Sequence, residues 1–185
     1  MGATIAVLEV DLRSNALDLP CRAAEDFDGR SVLAATVANL VEFSPITSVA
    51  IVRPPEVARE VAMLVEGLPV TFHEPAEDHP MRSFFRRGRK WALSSWRGGL
   101  GGTTVFDEWG SPVTLRRVLE ETQAEALVKP GVLNPLVDGD LITELIDVAR
   151  ENEQNVLLLP TPPGSNFEYL RAPFLDDLLA QGDLD

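Results

Sequence analysis

Apolar positions recur along the chain with two different periods. Three short apolar runs, TIAVLEV (4–10), SVAIVR (48–53) and EALVKP (125–130), are rich in aliphatic or β-branched residues and bounded by turn formers. Strands buried on both faces of a parallel sheet have this pattern. Between the first two, Val32, Leu33, Thr36, Val37, Leu40 and Val41 recur at helical spacing behind Ser31, which predicts a helix with a serine N-cap. EVAREVAMLVEGL (56–68) repeats that period after Pro54 and Pro55, closes near Gly67 and is followed by a short strand, PVTFHE (69–74). Later, Ser111 and Pro112 open a helix with Val113, Leu115, Val118 and Leu119 on its apolar face. GDLITELIDVARENE (139–153) is another amphipathic helix, NVLLLP (155–160) a strand, TPPGSNFEYL (161–170) a turn leading into a strand, and APFLDDLLAQGDLD (172–185) a terminal helix with an acidic tail.

Strand and helix thus alternate, which predicts an α/β fold: a three-layer sandwich with a mainly parallel sheet, right-handed crossovers and helices on both faces. In such sheets ligands bind beyond the carboxyl ends of the strands, so the loops after Val10, Arg53 and Lys129 are on the expected functional side. The alternation fails between about 75 and 110, where the chain turns aromatic, basic and then glycine-rich. That stretch reads as an insertion or lid within a single domain spanning 1–185.

The length of 185 residues and a 45% hydrophobic content suffice for one sizeable core. A formal charge of −13 argues against broad nucleic-acid binding. No run approaches the ~20 apolar residues of a membrane span, and MGATIAVLEV lacks the features of a signal peptide. A single cysteine, Cys21, excludes an internal disulfide framework. A cytoplasmic location, with no membrane insertion, is the expectation. Against the acidic background, Arg82, Arg86, Arg87, Arg89, Lys90 and Arg97 fall in sixteen residues without an acid. They form either a solvated or intermolecular face, or an anion site completed by the glycine loop.

Several separated motifs, taken in order, resemble one family. Ile5–Val10 is followed by LRSNALDLPCR (12–22) and GRSVL (29–33); LNPLVDG (133–139) precedes a helix; PPGSNFE (162–168) lies near the end. The chain resembles the cytidylyltransferases of bacterial surface-polysaccharide synthesis, including spore-coat polysaccharide and CMP-sugar synthetase-like enzymes of the glycosyltransferase-A nucleotidyltransferase superfamily. The resemblance implies a nucleotide-diphospho-sugar transferase architecture and a nucleotide or sugar nucleotide as ligand. It also implies Arg13, Ser14 and Arg22 as phosphate-binding residues, and Asp138 and Glu168 near the acceptor as candidate catalytic residues. The family's Mg²⁺-holding acids, in Asp-Cys-Pro and in the later motif, read Leu133 and Asn166 here. Neither residue replaces a charged oxygen ligand for a hard cation. Two functions therefore stand side by side. One is a divergent nucleotidyltransferase that activates a sugar. The other is a non-catalytic descendant acting as a binding, regulatory or structural subunit, with a protein partner or as a homodimer.

In SSWRGGLGGTTVFDEWG (94–110), Gly98, Gly99, Gly101 and Gly102 permit close backbone approach to an anion. Arg97 adds charge, Thr103 a hydroxyl and Trp96 a stacking face, although the stretch matches neither a Walker loop nor a dinucleotide fingerprint. Asp107 and Glu108 are the candidates to restore a Mg²⁺ site. A mobile turn explains the same glycines, and a solvated turn the same acids. His73 and His79, which flank the acidic EPAED, offer metal-ligand atoms or a solvated loop. Cys21 beside Arg22 is a reactive thiolate or a packed side chain.

Overall fold

A computed structural model describes residues 2–13, 21–76, 111–158 and 167–181. The first apolar run forms β1 (Thr4–Glu9), and the second forms β4 (Val49–Val52) after a short hairpin of β2 (Asp26–Phe27) and β3 (Arg30–Ser31). Asp28 and Gly29 both take positive φ at the hairpin tip, where an Asp-Gly pair carries the strain most easily. Helix α1 (Val32–Phe43) separates β3 from β4, and the Ser31 side chain accepts from the Ala34 N–H at 3.0 Å, as expected for its cap. A 3-10 turn (Pro55–Val57) leads into α2 (Ala58–Leu64) and then β5 (Val70–His73). The second half comprises α3 (Pro112–Thr122), β6 (Ala126–Pro130), α4 (Gly139–Glu151), β7 (Val156–Leu158), β8 (Phe167–Arg171) and α5 (Ala172–Gln181).

Six strands join in the order β5-β4-β1-β6-β8-β7. The pairs β5/β4, β4/β1 and β1/β6 are parallel, whereas β8 runs antiparallel to both β6 and β7. Five strands therefore point one way and the mainly parallel expectation holds. The chain proceeds from β1 outward to β4 and β5, then returns to place β6 on the other side of β1. The strand order consequently reverses between β1 and β6, which makes a topological switch point at their carboxyl ends.

Strand alternation divides the core between two faces. Ala6, Leu8, Val49, Ile51, Val128, Phe167 and Tyr169 pack with α1, α2 and α4 through residues such as Leu33, Val61 and Ile142. Ile5, Val7, Ala50, Val52, Leu127 and Leu170 meet Leu115, Val118 and Leu119 of α3 and Leu175 of α5. Arg116 and Asp176 form a 2.6 Å ion pair between α3 and α5. The two apolar layers give the three-layer sandwich anticipated from the sequence.

Candidate functional site

At the carboxyl edge the core alternation gives way to charge. Glu9 continues the Ile5/Val7 face of β1, and Lys129 continues the Leu127 face of β6. Glu168 is the direct register partner of Lys129 on β8, so opposite charges face each other across adjacent strands. All three are partly buried. Because β8 runs antiparallel, Glu168 near its start lies at the same edge as the ends of β1 and β6. Neither Glu9 nor Lys129 stands out in a sequence scan, although each is the charged residue that ends a strand otherwise apolar on that face.

Beyond β1, Arg13 is held by both Asp11 oxygens at 2.9 and 2.8 Å and lies 3.3 Å from Glu56, which precedes α2. The Asp11 hydrogen bond, with that carboxylate's charge, raises the guanidinium pKa further above its ordinary value. Arg13 is therefore held in place beyond β1 by two carboxylates, which balance its charge. Arg22 lies on the exposed loop before β2 and pairs with Glu25 at 2.8 Å. Burial pushes the neighbouring Cys21 thiol up, contrary to a reactive thiolate. Cys21 is partly buried and packs against the core, in line with the packed reading.

The loop from β6 to α4 forms the other wall of the switch point. The Asn39 amide of α1 donates to the Pro135 carbonyl and fastens this loop, while the Thr36 hydroxyl donates to the Val32 carbonyl of its own helix at 2.9 Å and lies 3.3 Å from the Val132 carbonyl. Asp138 accepts from the N–H groups of Asp140 and Leu141 at 3.0 and 3.2 Å and is the N-cap of α4. Leu133, at the motif position of the family's metal-binding aspartate, is 41% exposed and apolar. Asn134 beside it is only 3% exposed, and its Nδ2 has no hydrogen-bond partner among the described residues. The described residues contain no cluster of three His, Cys, Asp or Glu able to hold a metal ion. This part of the chain does not fit Mg²⁺.

Of the residues singled out from sequence, Arg13, Glu168 and Asp138 share the carboxyl edge, whereas Arg22 is engaged on its own loop. Ser14, Trp96, Arg97, Gly98, Gly99, Gly101, Gly102, Thr103, Asp107 and Glu108 lie outside the described residues, as does His79. His73 belongs to no solvated loop. It sits on β5 with its side chain 7% exposed, its Nδ1 2.6 Å from Glu121 of α3 and its Nε2 2.9 Å from the Thr71 hydroxyl.

The fold matches that of solved nucleotidyltransferases. A cytidylyltransferase from Leptospira borgpetersenii superposes with a TM-score of 0.67 at 12% identity, covering 97% of this chain and 65% of that one. The CMP:2-keto-3-deoxy-manno-octonic acid synthetase complexed with CTP gives 0.60 at 11% identity, over 96% of this chain and 78% of that one. A 2-C-methyl-D-erythritol 4-phosphate cytidylyltransferase from Thermus thermophilus gives 0.55 at 16%, over 97% and 76%. This chain thus spans slightly under two thirds of the first neighbour's length. No family model and no curated protein sequence matches it.

Proposed function

We propose that this chain binds a nucleotide or sugar nucleotide at the carboxyl edge of its sheet, between the loops that follow β1 and β6. The observation that carries the reading is the strand reversal between β1 and β6, bordered by Arg13 on one side and by Lys129 and the braced 131–138 loop on the other. A crevice of this kind is where open α/β sheets take ligands, and Arg13 and Lys129 border it, each beside a carboxylate with which a phosphate would compete. The likeness to CTP-binding and other cytidylyltransferase folds supports a pyrimidine nucleotide as first candidate.

Two observations favour binding over transfer. Asp138 uses one carboxylate oxygen for two cap hydrogen bonds, and an apolar leucine stands at position 133. Attack on an α-phosphate without a neutralising ion loses much of its electrostatic support. We therefore favour a nucleotide-binding or regulatory role, with activation of a sugar for polysaccharide synthesis as the alternative.

Calorimetric titration with CTP, UTP, ATP, GTP and CDP-sugars, each in EDTA and in Mg²⁺, tests the reading. Saturable binding of at least one of them is expected, together with no pyrophosphate release when CTP and candidate sugar acids are supplied. Pyrophosphate release would establish the transferase alternative. Absence of binding to every nucleotide would overturn both.

A further inference from the structure

We propose that residues 82–91 of a second copy of this chain dock in an apolar groove between α4 and the edge strand β7, so that copies associate through opposite edges of the sheet. The inference does not depend on the nucleotide reading, because the groove lies on the outer flank of the sheet and not at the switch point.

Among the described residues β7 ends the sheet, with β8 on one side and no strand on the other. Edge strands are commonly blunted by lysine, proline or an inward charge, because their open backbone and apolar side chains invite pairing. Val156, Leu157 and Leu158 carry no charge, and Leu158 is 60% exposed. Alongside them, Leu141, Leu145 and Val148 recur at i, i+4 and i+7 of α4 and form one stripe. The stripe, Leu157 and Leu158 line a cavity of about 160 Å³ that opens to solvent. Such a cavity takes the side chains of a short segment and not the face of a domain.

The rim sets the charge of the occupant. Glu144 lines the groove, and Asp140, Asp147 and Glu151 are exposed at i−4, i+3 and i+7 from it, in a row beside the apolar stripe. None of these four carboxylates joins an ion pair among the described residues. An occupant that matches both features combines apolar side chains with positive charge.

Such a segment occurs in this chain. Residues 82–91, RSFFRRGRKW, lie outside the described residues, and their sequence alone supplies the complement: Phe84, Phe85 and Trp91 among five cations, with no acid. In a protein of formal charge −13, a partner surface of opposite sign accounts for this run. The chain leaves the sheet toward 82–91 after β5, at the edge opposite β7. Five strand spacings, roughly 24 Å, separate the two edges. A segment at one edge and its groove at the other give a head-to-tail contact between copies.

Sedimentation velocity on the full chain tests the proposal at about 0.1 M and about 1 M NaCl, between which the Debye length falls from about 10 to about 3 Å. We expect association that grows with protein concentration and weakens at the higher salt. Leu158→Ser, at an exposed position, should weaken it at least tenfold with an unchanged melting temperature. A charge exchange identifies the occupant. The groove variant Glu144→Lys/Asp147→Lys and the segment variant Arg86→Glu/Arg87→Glu should each stay monomeric alone and associate when mixed. A wild-type chain that is monomeric at every concentration overturns the proposal. Undiminished association of Leu158→Ser would place the contact on another face, and exchanged variants that melt like wild type yet stay apart when mixed would show that groove and segment are not partners; either result overturns it too.

Discussion

Single side chains decide how much of the charge near the crevice is structural. Asp138 caps α4 through two N–H groups, so Asp138→Ala should cost about 1 kcal/mol of stability, measured by urea unfolding. Asp138→Ser should recover most of that loss; if it also restored any lost nucleotide affinity, Asp138 would act through the helix and not on the ligand. At the opposite edge of the sheet, Glu125 accepts from the Gly2 N–H at 2.8 Å and from Arg171 at 2.6 Å. The Gly2 hydrogen bond is the main reason its carboxyl titrates below the usual range, with Arg171 and Arg150 adding to it against partial desolvation. A depressed carboxyl favours the folded state above its unfolded pKa, and that contribution is lost as pH falls through the lower folded value. Glu125→Gln should therefore reduce stability at pH 7 and narrow the gap to wild type as the pH drops below about 4. The carboxylate is half-exposed, so solvent screening keeps the effect near 0.5 kcal/mol. Asp138 directly precedes a helical pattern in the sequence, the position where an N-cap acid is favoured. The partners of Glu125 were not visible there, since Gly2 and Arg171 are brought to it only by the tertiary fold.

Elements were legible where their period was strong. β1, β4 and β6 were predicted as apolar runs, and α1, α3 and α4 from their spacing and caps, because burial on both faces of a sheet and on one face of a helix leaves a direct imprint on residue order. The reversed direction of β8 left no comparable mark. Register depends on which strand accepts its hydrogen bonds, so Lys129 and Glu168 could not be seen as neighbours beforehand. The same limit hid the clasp between β5 and α3. His73 bridges Thr71 and Glu121 at 2.9 and 2.6 Å, joining an edge strand to a helix 48 residues later. His73→Ala should lower stability by about 1 kcal/mol, or roughly 2–4 °C in melting temperature. A double-mutant cycle with Glu121→Ala should show that most of this loss is shared. Additive losses would mean that the two residues act independently and that the contact between them does not clasp β5 to α3.

For the molecule as a whole, the question is how a protein with a formal charge of −13 receives an anionic ligand. Arg13 and Lys129 act at contact range, but the surplus of acids repels a triphosphate from farther away. Salt separates these effects because the Debye length is about 30 Å at 0.01 M and about 10 Å at 0.1 M. Raising NaCl across that interval should screen the distant acids first, leaving the short contacts largely intact. We expect the association rate for CTP, measured by stopped-flow fluorescence, to rise between 10 and 100 mM NaCl and then level off. A crevice whose local cations controlled approach would show the opposite, a rate that falls from the lowest salt onward. Dissociation should change less, because it depends on contacts much shorter than the Debye length. A dissociation rate that climbs steeply with salt would mean that solvent-exposed, screened ion pairs hold most of the bound nucleotide.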